Sequence, residues 1–268
     1  MSEITILLLY VAAAATFGAS RLPRFESSSR TLYFAAFLLT AIGITVHSNQ
    51  VYGLILTPAG FNLSIGHVVS LVGLELALIA LIAALEPTLR GISSGLLLLG
   101  AVAVAMTGTG EPQATEAALE WQARAHILIA LLSYGLLMVG AIVALFALIQ
   151  ERRLRRGKLA PESNALFAPL ETTERLLFGI TTAGFAGLAI AITLGLTFVE
   201  DLFAQHLVHK STLAILALVV FGVLLVGRWT AGWRGERAVK LYLVGFLLLF
   251  LAYFGSRFVL EQLSRSWS

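Results

Sequence analysis

The sequence predicts an all-α fold: a polytopic membrane helix bundle of about eight transmembrane helices with both termini outside. Hydrophobic residues make up 58% of the 268 positions and charged residues 12%, with a mean hydropathy of +0.90. That leaves too little polar surface to coat a soluble globule. Apolar runs recur at the length that crosses a bilayer core of roughly 30 Å, about 20 residues of helix. Stretches such as Leu96-Leu97-Leu98-Leu99 and Phe246 to Phe250 are apolar all round, whereas barrel strands alternate at period two over about ten residues.

The first run, Ile4 to Ser20, follows an acidic start, Met1-Ser2-Glu3, where a signal peptide would be basic, so it is read as a retained helix. Thr31 to Asn49 follows, then Leu63 to Leu85 with Glu75 midway, then Gly91 to Thr107. The fifth run, Trp121 to Gln150, is thirty residues, roughly 45 Å of helix, and must tilt or project. Its continuation, Glu151 to Lys158, carries five basic residues. It reads as a topology determinant in preference to an anionic-lipid site. On the sixth, Thr172 to Val199, the small residues Ala183, Gly187, Ala191 and Gly195 recur every four positions and permit close helix contact. Ser211 to Arg228 and Ala238 to Gln262 complete a single transmembrane domain over 1–268.

Basic residues resist translocation and so set direction. Connections after spans one, three, five and seven carry fourteen of the eighteen: Arg21, Arg24, Arg30, Arg90, Arg152, Arg153, Arg155, Arg156, Lys158, Arg175, Arg228, Arg234, Arg237 and Lys240. The opposite side keeps Arg124, Lys210, Arg257 and Arg265. Trp229 and Trp233 fall at the inner boundary and Trp121 and Trp267 at the outer, where interfacial anchors belong.

This topology puts all five histidines toward the outer side: His47 and His126 at span ends, His67 in the outer part of span three, His206 and His209 in the loop after span six. Each has a bland explanation, since imidazole at a helix end commonly bonds a backbone carbonyl or a headgroup. His206-x-x-His209 supplies two zinc ligands where a structural site wants four. Haem iron needs one or two axial imidazoles from separate helices, which scattered histidines fit better. There is no cysteine, so the chain runs no thiol relay and attaches no haem to itself through a C-x-x-C-H motif. Glu75 lies about 80° round the helix from His67 and roughly 12 Å deeper, so both can face one interior. An intramembrane carboxyl invites a functional reading, proton relay or cavity lining, against a protonated group bonded to a neighbouring helix. No phosphate loop and no nucleophile elbow occur, and neither a catalytic residue nor a nucleic-acid partner is expected.

From His126-Ile127-Leu128-Ile129-Ala130-Leu131-Leu132-Ser133-Tyr134-Gly135 onward the chain resembles the cytochrome c assembly membrane-protein family that includes CcsA, CcmC and HemX-like proteins. The likeness continues through Pro169 to Arg175, Glu200 to Lys210, and Gly232-Trp233-Arg234-Gly235-Glu236-Arg237-Ala238. The closing Leu251 to Phe258, with length and span count, is nearest the YpjD branch. The resemblance implies a multi-pass protein of the bacterial inner membrane with His126 as an external ligand of haem b. His47 and His209 are the candidate partners and further metal ligands by position. Asp201 and Lys210 match the charged framework of the family's haem-cradling loop. His67 and Glu75 complete the candidate cofactor-binding residues. No tryptophan occurs between Trp121 and Trp229, and no histidine follows His209, so the resemblance extends to haem binding or chaperoning and not to full synthetase activity. Membrane lipid, haem and a cytochrome c assembly partner are the expected partners. Two other readings stand beside this one: a non-catalytic assembly factor that has lost haem, and a proton-coupled transporter built on Glu75.

Overall fold

The computed structural model describes residues 2–57, 60–62, 64–108, 121–155, 169–198 and 208–252. Among these, eight helices carry the fold: α1 Ser2–Ala19, α2 Ser29–Ile55, α3 Ile65–Ala83, α4 Arg90–Ala105, α5 Trp121–Arg155, α6 Leu170–Phe198, α7 Val208–Ala231 and α8 Gly235–Phe250. The all-α expectation is met, with one small addition. Leu56–Thr57 and Gly60–Phe61 pair as a two-stranded antiparallel hairpin between α2 and α3. Among the described residues six helical segments are long and apolar enough to cross a membrane, one containing most or all of each helix from α2 to α7. The first run gives the shorter apolar helix Glu3–Ala19, and α8 covers 16 residues. At α5, 35 residues make about 52 Å of helix, and the basic stretch through Arg155 is part of it.

The chain divides into two compact units, Met1–Leu119 with Arg152–Leu176, and Glu120–Glu151 with Leu177–Ser268. In the first, α1 packs on α2 and α4, and α3 packs on the same two helices, so the four close into a ring. Ile6, Tyr10, Ala13 and Phe17 are buried at spacings of four, three and four, which is one face of α1. Along α2 the buried face is Ala36, Thr40, Gly43, His47, Val51 and Ile55. Its periodicity carries the helix six residues past Asn49, where hydropathy alone ends the span. Helices α3 and α4 approach through glycine: a Cβ on Gly73 would lie 3.2 Å from the Gly100 carbonyl, and one on Gly100 would lie 3.1 Å from the Gly73 carbonyl. At the arginine-rich end, cations lie over aromatic faces, with Arg90 3.9 Å from the Tyr33 centroid and Arg24 4.8 Å from that of Phe25.

In the second unit Gly187, Ala191 and Gly195 of the small-residue stripe on α6 meet α5 closely, whereas Ala183 is exposed and the neighbouring Gly184 makes the contact at that level. Gly184 faces Leu137 and Gly187 faces Ser133, each position filled so tightly that a Cβ would collide. Gly195 faces His126. Tyr242 of α8 is fully buried; its hydroxyl donates to the Leu137 carbonyl of α5 at 2.8 Å, and its ring meets Phe221 of α7 edge-on at 5.2 Å.

Candidate functional site: histidine seats within the helices

His126 sits in the second turn of α5, where the chain gives it a backbone acceptor instead of water. Its Nδ1 donates to the Ala191 carbonyl of α6 at 2.7 Å. Gly195, one turn on, leaves room for the ring: a Cβ there would stand 3.2 Å from Cε1 and 3.4 Å from Nδ1. A carbonyl can only accept, so the proton of the neutral ring is held on Nδ1 and the basic lone pair on Nε2. Such a second partner on the far nitrogen orients metal-ligating histidines and raises their basicity.

His47 is held differently. It is fully buried in the first unit, with Tyr10 Oη 3.0 Å from Nδ1 and Ser70 Oγ 3.0 Å from Nε2. Tyr10 comes from α1 and Ser70 from α3, so one imidazole ties three helices together. Gly43 makes space for the Tyr10 ring, and Gly73 stands beside the imidazole. Both ring nitrogens are engaged by hydroxyls, so a metal would have to displace one of them. Tyr10 and Ser70 were not singled out in the sequence. Their one legible signal is a polar residue on the buried face of an apolar helix.

His67 lies in the first turn of α3, where Ser64 caps the helix by accepting from the His67 backbone N–H at 3.4 Å. Its Nδ1 donates to the Asn62 carbonyl at 3.3 Å. The loop expected to hold His209 and Lys210 is helical at that point: both fall in the first turn of α7. The side chain of His209, and all of His206 and Asp201, lie outside the described residues. Among the described residues no cluster of three or more His, Cys, Asp or Glu side chains is gathered to hold a metal ion. His47 belongs to the first unit and His126 to the second.

Glu75 is 4% exposed, and neither carboxyl oxygen has a hydrogen-bond partner among the described residues. It lies two residues, about 200° of helix, from Gly73, and so on the opposite side of α3 from the seam with α4. The bonded carboxyl expected as the bland alternative is therefore not found among those residues. Removing an unpaired buried polar group and keeping the shape apolar is neutral or favourable. Glu75→Leu is accordingly expected to hold or raise stability, by up to about 1–3 kcal/mol, in thermal unfolding of the detergent-purified protein. A marked loss of stability would show that the carboxyl has a stabilising partner.

Among the described residues, six membrane-length apolar helices, with the hydrogen-bonded imidazoles of His47 and His126 set among them, define a polytopic helical membrane protein. The chain belongs to the cytochrome c assembly protein family, whose model matches residues 29–264. It is 38% identical over 139 residues to the inner membrane protein YpjD of Escherichia coli, covering 52% of this chain and 52% of that protein. Over 140 residues it is 28% identical to the cytochrome c biogenesis protein CcsA of Chlamydomonas reinhardtii, covering 52% of this chain and 38% of that one. The chain thus spans about half the length of the YpjD protein it matches. It is a multi-pass protein of the inner membrane. No solved structure matches it.

Proposed function

We propose that this protein binds or chaperones haem b near the outer face of the inner membrane, with His126 as an axial ligand. The observation that carries this reading is the 2.7 Å bond from His126 Nδ1 to the Ala191 carbonyl, which orients the ring and fixes its tautomer as second partners of metal-ligating histidines do. Membership of the cytochrome c assembly family and similarity to a cytochrome c biogenesis protein support it. The outer placement follows from the basic-residue bias. His209, at the start of α7 in the same unit, is the better second ligand, with Asp201 and Lys210 as the charged framework that the family resemblance implies for its loop. His47 is less suited, since ligation would cost it Tyr10 or Ser70; His67 stands as a further imidazole beside the hairpin. Glu75 supplies a buried carboxyl able to hold or relay a proton. When bound, haem supplies a redox-active iron and a flat apolar macrocycle. The chain supplies an oriented nitrogen for it, and a cytochrome c assembly protein is the partner proposed to give or receive it.

The test is absorption of the detergent-purified protein after haem loading. A Soret band is expected in the wild type and its loss or shift in His126→Ala, with helix content by circular dichroism unchanged. An identical spectrum in His126→Ala would remove the assignment. No Soret band in the wild type, with co-purification of a partner protein, would favour an assembly factor without haem, the reading that the missing tryptophans between Trp121 and Trp229 support. Proton-linked substrate uptake lost in Glu75→Gln would instead support a transporter.

A further inference from the structure

The turn joining α7 to α8 is built to hold one indole. Gly232 and Gly235 have φ of +62° and +60°, a backbone conformation that glycine adopts at little cost. Between them the backbone N–H of Trp233 donates to the Gly227 carbonyl at 3.1 Å. The indole packs over Gly227, where a Cβ would collide with the ring. Arg228 adds a clamp: its Nη1 donates to the Trp233 carbonyl at 3.3 Å, and its guanidinium lies 4.7 Å from the Phe178 centroid.

The indole so fixed separates two grooves. One, of about 420 Å³, is apolar and runs along α7 past Val219, Val223 and Val226. The other, of about 780 Å³, starts at Glu236, Arg237 and Lys240 and continues along α8 to Leu241 and Val244. Arg237 stands 5.9 Å from the indole centroid, and Lys240 Nζ is 2.9 Å from the Glu236 carboxylate. Of the residues lining it, two cations and one carboxylate give this mouth a net positive charge. We propose that the juxtaposition is a seat for an anionic diacyl phospholipid: its phosphodiester against Arg237 and Lys240, one acyl chain along Leu241 and Val244, the other along the α7 valines, and Trp233 between them.

Charge and shape both favour that occupant. A guanidinium offers a phosphate two parallel donors, and tryptophan settles at headgroup level. A free phosphate would use the cationic mouth and leave both apolar grooves bare, whereas a diacyl lipid has one chain for each.

Native mass spectrometry of the full chain in detergent, offered equimolar phosphatidylglycerol and phosphatidylcholine, tests this. Phosphatidylglycerol is expected to be retained preferentially, and Arg237→Gln to cut that preference about fivefold, the usual worth of one basic side chain at an anionic membrane. Because the Arg237 side chain is exposed, its unfolding midpoint without added lipid should stay that of the wild type. Equal retention of the two lipids would overturn the proposal. So would a preference undiminished in Arg237→Gln with Lys240→Gln, or displacement of the lipid by equimolar inorganic phosphate.

Discussion

Gly140→Ala is expected to destabilise the second unit by about 2–6 kcal/mol, seen as a lower thermal unfolding midpoint of the purified protein. The Tyr242 hydroxyl reaches the Leu137 carbonyl at 2.8 Å by passing over Gly140, and it occupies the space where a Cβ would stand. A methyl group there must push the phenol aside. The ring has nowhere to go, with Phe221 5.2 Å away, centroid to centroid, and Ile180 only 3.3 Å from the new Cβ. Overpacking of this kind costs about 1–3 kcal/mol, and a buried hydroxyl stripped of its acceptor about as much again. Tyr242→Phe alone loses one hydrogen bond, about 1 kcal/mol. Once that hydroxyl is gone, Gly140→Ala should cost markedly less, with a coupling of about 0.5–3 kcal/mol. Additive losses in the double variant would sink this account.

In the first unit the largest loss is expected from His47→Ala, about 3–5 kcal/mol in the same measurement. The substitution opens a cavity where three helices meet and strands the hydroxyls of Tyr10 and Ser70, both within 3.0 Å of the ring. His47→Gln should recover part of the loss, because an amide can donate to one hydroxyl and accept from the other. Equal losses in the two variants would mean that volume, not hydrogen bonding, holds the site. His47→Gln should also keep the His126-dependent Soret band; losing it would make His47 a ligand as well as a strut.

Helix number and order were legible because bilayer length and hydropathy fix them one segment at a time. The stripe announced a close contact on α6 for the same reason, since four-residue spacing puts small groups on one face; Gly187, Ala191 and Gly195 make it, while Ala183 is exposed. What it met could not be read, since Ser133 and His126 lie on another helix, more than fifty residues earlier. The ends of helices were less clear. The reading of α2 stopped at Asn49 because polar residues look like a boundary, yet Val51 and Ile55 continue the face of His47 and the helix follows them. The roles of His47 and His126 were equally hidden. Their residue type is the same, and what separates them is the neighbour at 3 Å, a hydroxyl for one and a carbonyl for the other.

That difference of neighbour has a consequence for how each ring stores its proton. Ala191 offers only lone pairs, so His126 has a single protonation isomer compatible with its bond. Tyr10 and Ser70 can each turn about their own C–O bonds, so His47 keeps both contacts whichever nitrogen carries the hydrogen. The row from α1 to α3 can therefore point in either of two senses with the same connectivity, and reversing one member reverses all three. One imidazole in this protein is a compass needle with two rest positions; the other is nailed to its dial.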